Sequence, residues 1–345
     1  MRAAVTVGPG VVELREVPVP RAPGPGEALL APEAVGVCGS DLHYFTGELA
    51  DAAFPRVLGH ELAATVTALG PEVDAGLGLA VGSRVAVWPL QACGYCDVCR
   101  AGRGNACPNF RLIGIHTDGG LQDALVVPAA QCFPIAAGAA LATLAEPLSV
   151  AVHAVARGAV GAGEAVVVLG AGPIGQAVGV VALEAGARVL AVDRLAPRLQ
   201  PSAALGMDTL ALHDGVDLVT AARAWAGGDG PPVVFEATGA PAVAADALAI
   251  VRPAGRVVLV GLPGDDAAIP LGIITRKELD VLGTSCCTRA EFAAAVDLVE
   301  RRGDELGRLI SGEWPLDDVA GALSWALERP AQTMKLVVRI GEETA

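Results

Sequence analysis

Four cysteines within fifteen residues, Cys93, Cys96, Cys99 and Cys107, are the most chemically pointed feature of the chain. Their spacing, C-x2-C-x2-C-x7-C, offers four thiolates in one loop. That is enough to close a tetrahedral zinc site at about 2.3 Å per bond with no open position. Gly94, Gly102 and Gly104 supply turns that aim the sulfurs inward. An iron–sulfur cluster is the rival reading. The bacterial ferredoxin run C-x2-C-x2-C-x3-C-P differs mainly in its last spacing, but no second cluster motif accompanies it here. A second, dispersed set is Cys38, His60 and Glu61, with Ser40, Asp41 and His43 beside the first. One thiolate, one imidazole and one carboxylate leave a fourth position for water or substrate, as a catalytic zinc requires. From spacing alone the metal reading is weak, since a lone Cys near a lone His-Glu is usually packing or a surface pair.

A third constellation binds rather than reacts. Ala165 to Asp193 reads as a β-branched run, then Gly170-Ala-Gly172-Pro173-Ile174-Gly175, then an apolar helix, then a second strand ending at Asp193. The glycines fit G-x-G-x-x-G: the first for the turn, the second for close approach of a pyrophosphate, the third for helix–strand packing. The diphosphate would meet the helix's N-terminal amides. Asp193, eighteen residues beyond Gly175, stands where a carboxylate can take both ribose hydroxyls of NAD, and it would repel the 2′-phosphate of NADP. Arg194 is the counter-signal, and Arg198 lies on the same side of the motif. Thr238 and Val260 end later strands, on the edge where doubly wound sheets hold ligands.

The elements that must position these residues fall into two rhythms. The first part alternates in short strands, Val5 to Val7 and Val11 to Val17, separated by Pro- and Gly-rich connectors, and leads to a turn and short helix at Cys38. Cys93 to Cys107 has no apolar periodicity, so something other than a core must hold it. From Ala165, strands alternate with helices at Arg188–Val192, Val233–Ala237, Arg256–Val260 and Asp280–Gly283, the signature of an α/β parallel sheet. After about Cys286 the rhythm changes again, with helices at 289–302 and 315–328 and a closing strand at Lys335–Arg339.

Composition narrows the partners. Hydrophobic residues make up 53% of the 345, aromatics only 3%, so the core is mostly Ala, Val and Leu. A net charge of −14 without a basic cluster argues against nucleic acid. The apolar run Ala165–Leu183 is broken by Gly-Ala-Gly-Pro and bracketed by Glu164 and Glu184, which argues against a membrane span. Met1–Leu14 is charged within two turns and broken by Gly8-Pro9-Gly10, unlike a secretory signal. A cytoplasmic protein with its eight cysteines reduced is expected. His153 and His213 read as structural, and Cys132 as a core thiol.

Taken together, Gly36-Val-Cys-Gly-Ser-Asp-Leu-His, Gly59-His-Glu, the four-Cys lobe, Glu146-Pro-Leu-Ser, the glycine motif with Asp193 and the tail Lys335-Leu-Val-Val resemble the zinc-containing medium-chain alcohol dehydrogenases, in family order over nearly the whole chain. The branch resembled is that of sorbitol and threonine dehydrogenases. The resemblance implies an α/β chain: a GroES-like β-rich catalytic domain at residues 1–148, with its zinc lobe at 93–107, and an inserted Rossmann doubly wound parallel-sheet domain at 149–285. Residues 286–345 would then return to the catalytic domain. It implies two zinc ions per chain, a catalytic one on Cys38, His60 and Glu61 and a structural one on Cys93, Cys96, Cys99 and Cys107. Glu146 would be a fourth, exchangeable ligand or the partner of a zinc-bound water. Ser40 and His43 match a proton relay, and Asp41 a group orienting His60. Gly170, Gly172, Pro173, Ile174, Gly175, Asp193, Arg194, Arg198, Thr238 and Val260 would contact NAD.

The function implied is hydride transfer between NAD and a secondary alcohol: a polyol, sugar acid, cyclitol or amino-sugar alcohol. Tyr44 would be a pocket wall, as in sorbitol dehydrogenases. Where those enzymes carry an Arg-Tyr pair, however, this chain has Cys286-Cys287. Gly114-Ile-His-Thr-Asp-Gly-Gly resembles members acting on sugar acids and other secondary alcohols, making His116, with Cys286, a substrate-side candidate. The alternatives are an L-threonine 3-dehydrogenase-like activity and a non-catalytic or zinc-free reductase relative, which typically lacks both cysteine sets. The partner expected is a small-molecule alcohol, with no nucleic acid and no membrane, in a homodimer or homotetramer.

Overall fold

Strand Glu27–Val37 is the axis of the first folding unit. It alternates inward and outward for most of its length and becomes continuously buried toward Val37, where neighbours cover both faces. A computed structural model describes residues 1–49, 52–263 and 269–341. In it, Glu27–Val37 pairs antiparallel with Glu61–Leu69 on one side and with Lys335–Arg339 on the other. The registers Gly36↔Glu61 and Val37↔Leu336 bring Glu61, Val37 and Lys335 to one end of the sheet. The full sheet runs from Cys132–Pro134 through Arg84–Val87 and these three strands to Ile310–Pro315, with Leu125–Pro128 also on Glu27–Val37. A separate three-stranded sheet joins Val11–Glu16, Arg2–Gly8 and Arg56–Val57. The core of this unit is aliphatic, with Leu30, Val35, Leu58, Leu62, Val66 and Val338 among its fully buried members, and Tyr44 inside it.

This unit comprises Met1–Ser149 and Thr288–Ala345, and the second comprises Val150–Cys287. The second is built on six parallel strands in the order Asp208–Ala211, Arg188–Asp193, Ala165–Leu169, Val233–Glu236, Arg256–Leu259, Asp280–Gly283. Every residue of Ala165–Leu169 is buried, as its unbroken apolar sequence requires of a strand covered on both faces. The order reverses between that strand and Val233–Glu236. This is the switch point at which parallel α/β sheets open a crevice at their carboxyl ends.

Two strands escape a pattern search. Asp208–Ala211 is polar and exposed at its start because it is an edge strand, and Ile310–Pro315 is interrupted by Gly312 and ended by proline. Helix 289–302 extends to Leu306 with a kink at Arg302. The stretch Ala139–Arg157 is the one helical segment among the described residues long and apolar enough to cross a bilayer, and 61% of its most apolar window is buried inside the protein.

Candidate metal centres and dinucleotide site

The dispersed set comes together at the end of the central sheet. Cys38 follows strand Glu27–Val37 directly and caps helix Gly39–Thr46, where its own N–H donates to Asp41 Oδ2 at 2.9 Å. The other Asp41 oxygen lies 3.5 Å from His60 Nδ1, so the buried ring turns that nitrogen toward Asp41. Donor atoms of Cys38, His60 and Glu61 lie within 4.8 Å of one another. Glu61 is fully buried. Its Oε1 pairs with Lys335 Nζ at 2.5 Å, and Lys335, only 2% exposed, also donates to Val37 O at 3.2 Å.

Glu61 Oε2, by contrast, is buried without a hydrogen-bond partner. It occupies space that a Cβ on Gly36 would invade at 2.1 Å, so only glycine at 36 leaves it room. An unpartnered buried carboxylate oxygen is costly unless a cation joins it. Burial opposes charge on His60, but Asp41 and Cys38 outweigh it and hold the imidazole well above its ordinary pKa. Burial pushes the Glu146 carboxyl up to about 7, with His60 opposing the rise and Glu61 adding to it. Thiol, imidazole and crowded carboxylates, with Lys335 as the one lysine paired to them among the described residues, are a donor set suited to a divalent cation.

Two relay candidates flank this set. Ser40 Oγ lies 3.9 Å from Cys38 Sγ, and His43 is exposed, with Nδ1 2.9 Å from Glu48 Oε2. Glu48 had no place in the sequence pattern. Tyr44 requires correction as a pocket wall. It has no exposed surface, its hydroxyl is bound at both ends by the Ala53 peptide groups, and its ring meets Phe54 edge-on. The aromatic ring was recruited by the core rather than by a ligand. His116 is half-buried. Its Nδ1 accepts the Leu112 N–H at 3.0 Å and its ring packs against Phe110, so one nitrogen already serves its own loop. Cys286 belongs to the second unit, half-buried at φ +50°, with Ser285 Oγ 3.8 Å from its sulfur.

In the cysteine lobe, Cys93 and Cys99 sulfurs are 3.9 Å apart, and those of Cys96 and Cys107 3.8 Å. A regular tetrahedron with bonds of about 2.3 Å has corners about 3.8 Å apart, whereas a disulfide needs about 2.05 Å. Backbone N–H groups of Cys99 and Asn109 point at Cys96 and Cys107 sulfurs, at 3.4 and 3.3 Å, as they would toward thiolates. Burial opposes ionisation of Cys93, yet N–H donors from Tyr95 and Cys96 bring its pKa down to about 6. Cys99 is pushed up to about 12, by burial first and by its sulfur neighbours as well. Cys93 is thus disposed to ionise, whereas Cys99 resists losing its proton without a cation beside it.

In the second unit the first and third glycines of the motif have steric reasons, and the second leaves room near Arg198. Gly170 stands at φ +97°, and a Cβ there would meet Thr238 Cγ2 at 2.6 Å. A Cβ on Gly175 would lie 1.8 Å from Gly170 O, and one on Gly172 would approach Arg198 Nη1 at 3.5 Å. Pro173 and Ile174 open the helix Pro173–Glu184. Asp193 uses both oxygens on the backbone, accepting from Ala171 N–H and Leu195 N–H, each at 2.8 Å. A carboxylate oxygen has a second acceptor site, so ribose hydroxyls remain compatible with this. Arg194 is exposed. The Thr238 hydroxyl is committed internally, donating to Glu236 and accepting from Ala240 N–H. The Thr238 hydroxyl therefore has no proton left to donate to a cofactor, though its oxygen keeps a second acceptor site. Val260 N–H is bound to Glu236 O.

Sequence reasoning assigned no part to Lys335, Glu236 or Gln176. The signal, faint in each case, was a polar side chain in an otherwise apolar element.

Comparison with known proteins bears on both units. Residues 24–137 match the model described as "Alcohol dehydrogenase GroES-like domain", and residues 173–301 that described as "Zinc-binding dehydrogenase". A 2-dehydro-3-deoxy-L-galactonate 5-dehydrogenase of Pseudoalteromonas atlantica is 35% identical over 325 residues, covering 93% of this chain and 94% of its own. A zinc-binding dehydrogenase of Sinorhizobium meliloti 1021, solved bound to NADP, superposes with a TM-score of 0.86 at 31% identity, covering 98% of both chains. A protein described as a short chain alcohol dehydrogenase, from Escherichia coli CFT073 and complexed with NADH, gives a TM-score of 0.86 at 28% identity, over 98% of this chain and 99% of that one.

Proposed function

Because the chain belongs to the zinc-binding, GroES-like alcohol dehydrogenase family, we propose that it transfers hydride between a secondary alcohol and NAD, the alcohol being of the polyol, sugar-acid, cyclitol or amino-sugar class. The relative acting on a deoxy-galactonate favours the sugar-acid end of that range. The observation that carries the reading is the buried, unpartnered Glu61 Oε2, gathered with Cys38 and His60 where a cation would complete the set.

In this reading Cys38, His60 and Glu61 hold a catalytic zinc, and the four-cysteine lobe holds a structural one. Glu146 supplies a further carboxylate to the first site, as a ligand or as the partner of a water. Zinc at the first site supplies Lewis acidity that lowers the pKa of an alcohol hydroxyl, and NAD supplies the hydride acceptor. Asp41 fixes the orientation of His60 through Nδ1, leaving Nε2 to face the donor set. Ser40, beside Cys38, accepts the proton from the substrate hydroxyl. His43, exposed and paired with Glu48, releases it to solvent. Asp193 favours NAD over NADP, since its carboxylate repels a 2′-phosphate. A homodimer or homotetramer follows from the family resemblance.

The test joins metal analysis to an NAD-reduction screen over aldonates, polyols, cyclitols and 3-hydroxy amino acids. Two zinc ions per chain and turnover of at least one class are expected. Cys38→Ser should lose turnover at least a hundredfold while binding NADH with unchanged affinity. Retained turnover in that variant would place the reacting centre elsewhere.

A further inference from the structure

Helix Pro173–Glu184 is apolar on nearly every buried position except Gln176, whose side chain is completely excluded from solvent. Its Nε2 faces three acceptors: Ala171 O at 3.1 Å, Arg198 O at 2.8 Å and Ser202 Oγ at 2.7 Å. Two of these are carbonyls, which only accept, so the amide nitrogen and not its oxygen must point at them. Oε1, on the other side, is buried without a hydrogen-bond partner. An apolar residue would avoid that cost but would take away the donor to Ala171 C=O in the glycine loop.

What the amide holds is more telling than that it is held. Ala171 lies between the first two glycines of the motif. Its C=O is bound by Gln176 and its N–H by Asp193 Oδ2, so the loop is gripped from both sides. Asp193 Oδ1 also takes the N–H of Leu195, the residue that opens helix Ala196–Ala204, and that helix carries Arg198 and Ser202. The circuit closes: glycine loop, Gln176, second helix, Leu195, Asp193, glycine loop. It fixes where the backbone at Arg198 stands relative to the glycine loop, and the Arg198 guanidinium lies where a Cβ on Gly172 would approach it at 3.5 Å.

We propose that Gln176 is a positioning residue of the dinucleotide site, a buried amide bracket that sets the glycine loop and Arg198 in register before the cofactor arrives. The inference rests on the NAD reading given above. Gln176 touches no cofactor atom itself. By holding the loop in its receptive shape it spares the cofactor the cost of ordering it, which appears in affinity rather than in the chemical step.

Gln176→Met conserves volume and removes the donors, and Gln176→Glu conserves shape and replaces the donor with an acceptor. Both should raise the KM for NAD and the Kd for NADH, read by nucleotide fluorescence, about tenfold. The kcat at saturating NAD and the KM for the alcohol should stay within twofold. Ser202→Ala, which disturbs the helix little, frees an amide hydrogen for Ala171 O, and NADH should bind as tightly as before or more so. NAD parameters within twofold of wild type in both Gln176 variants would overturn the bracket. So would a kcat that falls with the folded fraction at constant KM, or weaker NADH binding in Ser202→Ala. A wild-type protein that binds neither NADH nor NADPH would overturn the cofactor reading and this inference with it.

Discussion

Replacing Lys335 with methionine separates two roles of one buried charge. Burial alone would strip the lysine of its proton, yet Glu61 and Cys38 beside it hold its pKa above the ordinary value, so the contact with Glu61 is an ion pair. Both side chains are at most 3% exposed. Removing one partner of such a pair leaves an uncompensated buried charge and costs roughly 3–5 kcal/mol. For a unit of this size each kcal/mol moves Tm by about 2–4 °C, so metal-stripped Lys335→Met should melt roughly 6–20 °C below metal-stripped wild type. With zinc present the cation takes over the neutralisation of Glu61, and the loss should fall to less than half of that. Reciprocity then requires tighter zinc binding in the variant, by about tenfold or more, because a positive charge has been removed beside the site. Circular-dichroism melts with and without chelator, and zinc competition against a fluorescent indicator, read both quantities. Equal losses in the two metal states, or weaker zinc binding in the variant, would refute the argument.

Two other perturbations address the remaining charges. Cys107→Ser removes a thiolate that accepts N–H groups from Cys93 and Asn109, and it should lower the zinc content from two to one per chain. The lobe should become sensitive to limited proteolysis between residues 93 and 107 while residues 1–49 resist; unchanged zinc content would contradict the tetrahedral reading. Glu146 supplies the pH test. Its native carboxyl titrates at about 7 against an ordinary 4.5, chiefly because of burial, so the native state holds more protons than the unfolded state between those values. Metal-free protein should therefore lose stability as pH rises from about 4.5 to about 7, with this group's slope bounded by ~1.4 kcal/mol per pH unit because it exchanges a single proton. Metal-free Glu146→Gln should show a shallower loss than wild type across that window by denaturant titration, and a slope equal to wild type would assign the titration to another group.

The fold class was legible because it rests on local patterns. The glycine triplet lies between an all-apolar strand and an apolar helix, and strands recur with helices between them. Asp208–Ala211 and Ile310–Pro315 were not legible, since an exposed edge strand and a strand holding Gly312 lack the periodicity on which such reading depends. Among site candidates, those a motif specifies by spacing could be named, and the structure gathers Cys38, His60 and Glu61, and separately the four lobe cysteines. What spacing cannot carry is the company a side chain keeps. Tyr44, one residue from His43, went to the core because Phe54 and the Ala53 peptide meet it there. Thr238 spent its hydroxyl on Glu236. Lys335 stands 274 residues from the carboxylate it neutralises, and only the pairing of the closing strand beside Val37 brings the two together.

That long-range lysine also explains why two clusters rich in anionic donors differ in how firmly they need a metal. In the lobe, the four sulfurs lie within 4.8 Å of one another, no lysine is paired to them among the described residues, and Tyr95 there is 66% exposed. Only Asn105 and Cys107 of residues 93–107 are buried, so a bound cation would supply much of the lobe's stability. The sheet-end cluster is different. Its backbone is fixed by two strand pairings and an aliphatic core, and Lys335 already pairs with one oxygen of Glu61, leaving the other without a hydrogen-bond partner. Such a site keeps its shape without metal and presents one carboxylate oxygen divided in its allegiance from the other. Loss of Cys107 should therefore be felt as unfolding of a loop, whereas loss of Lys335 should be felt as a redistribution of affinity between protein and zinc. On the proposed reading, a bound metal would hold the lobe together, whereas the sheet-end cluster would be held by the protein's own pairings.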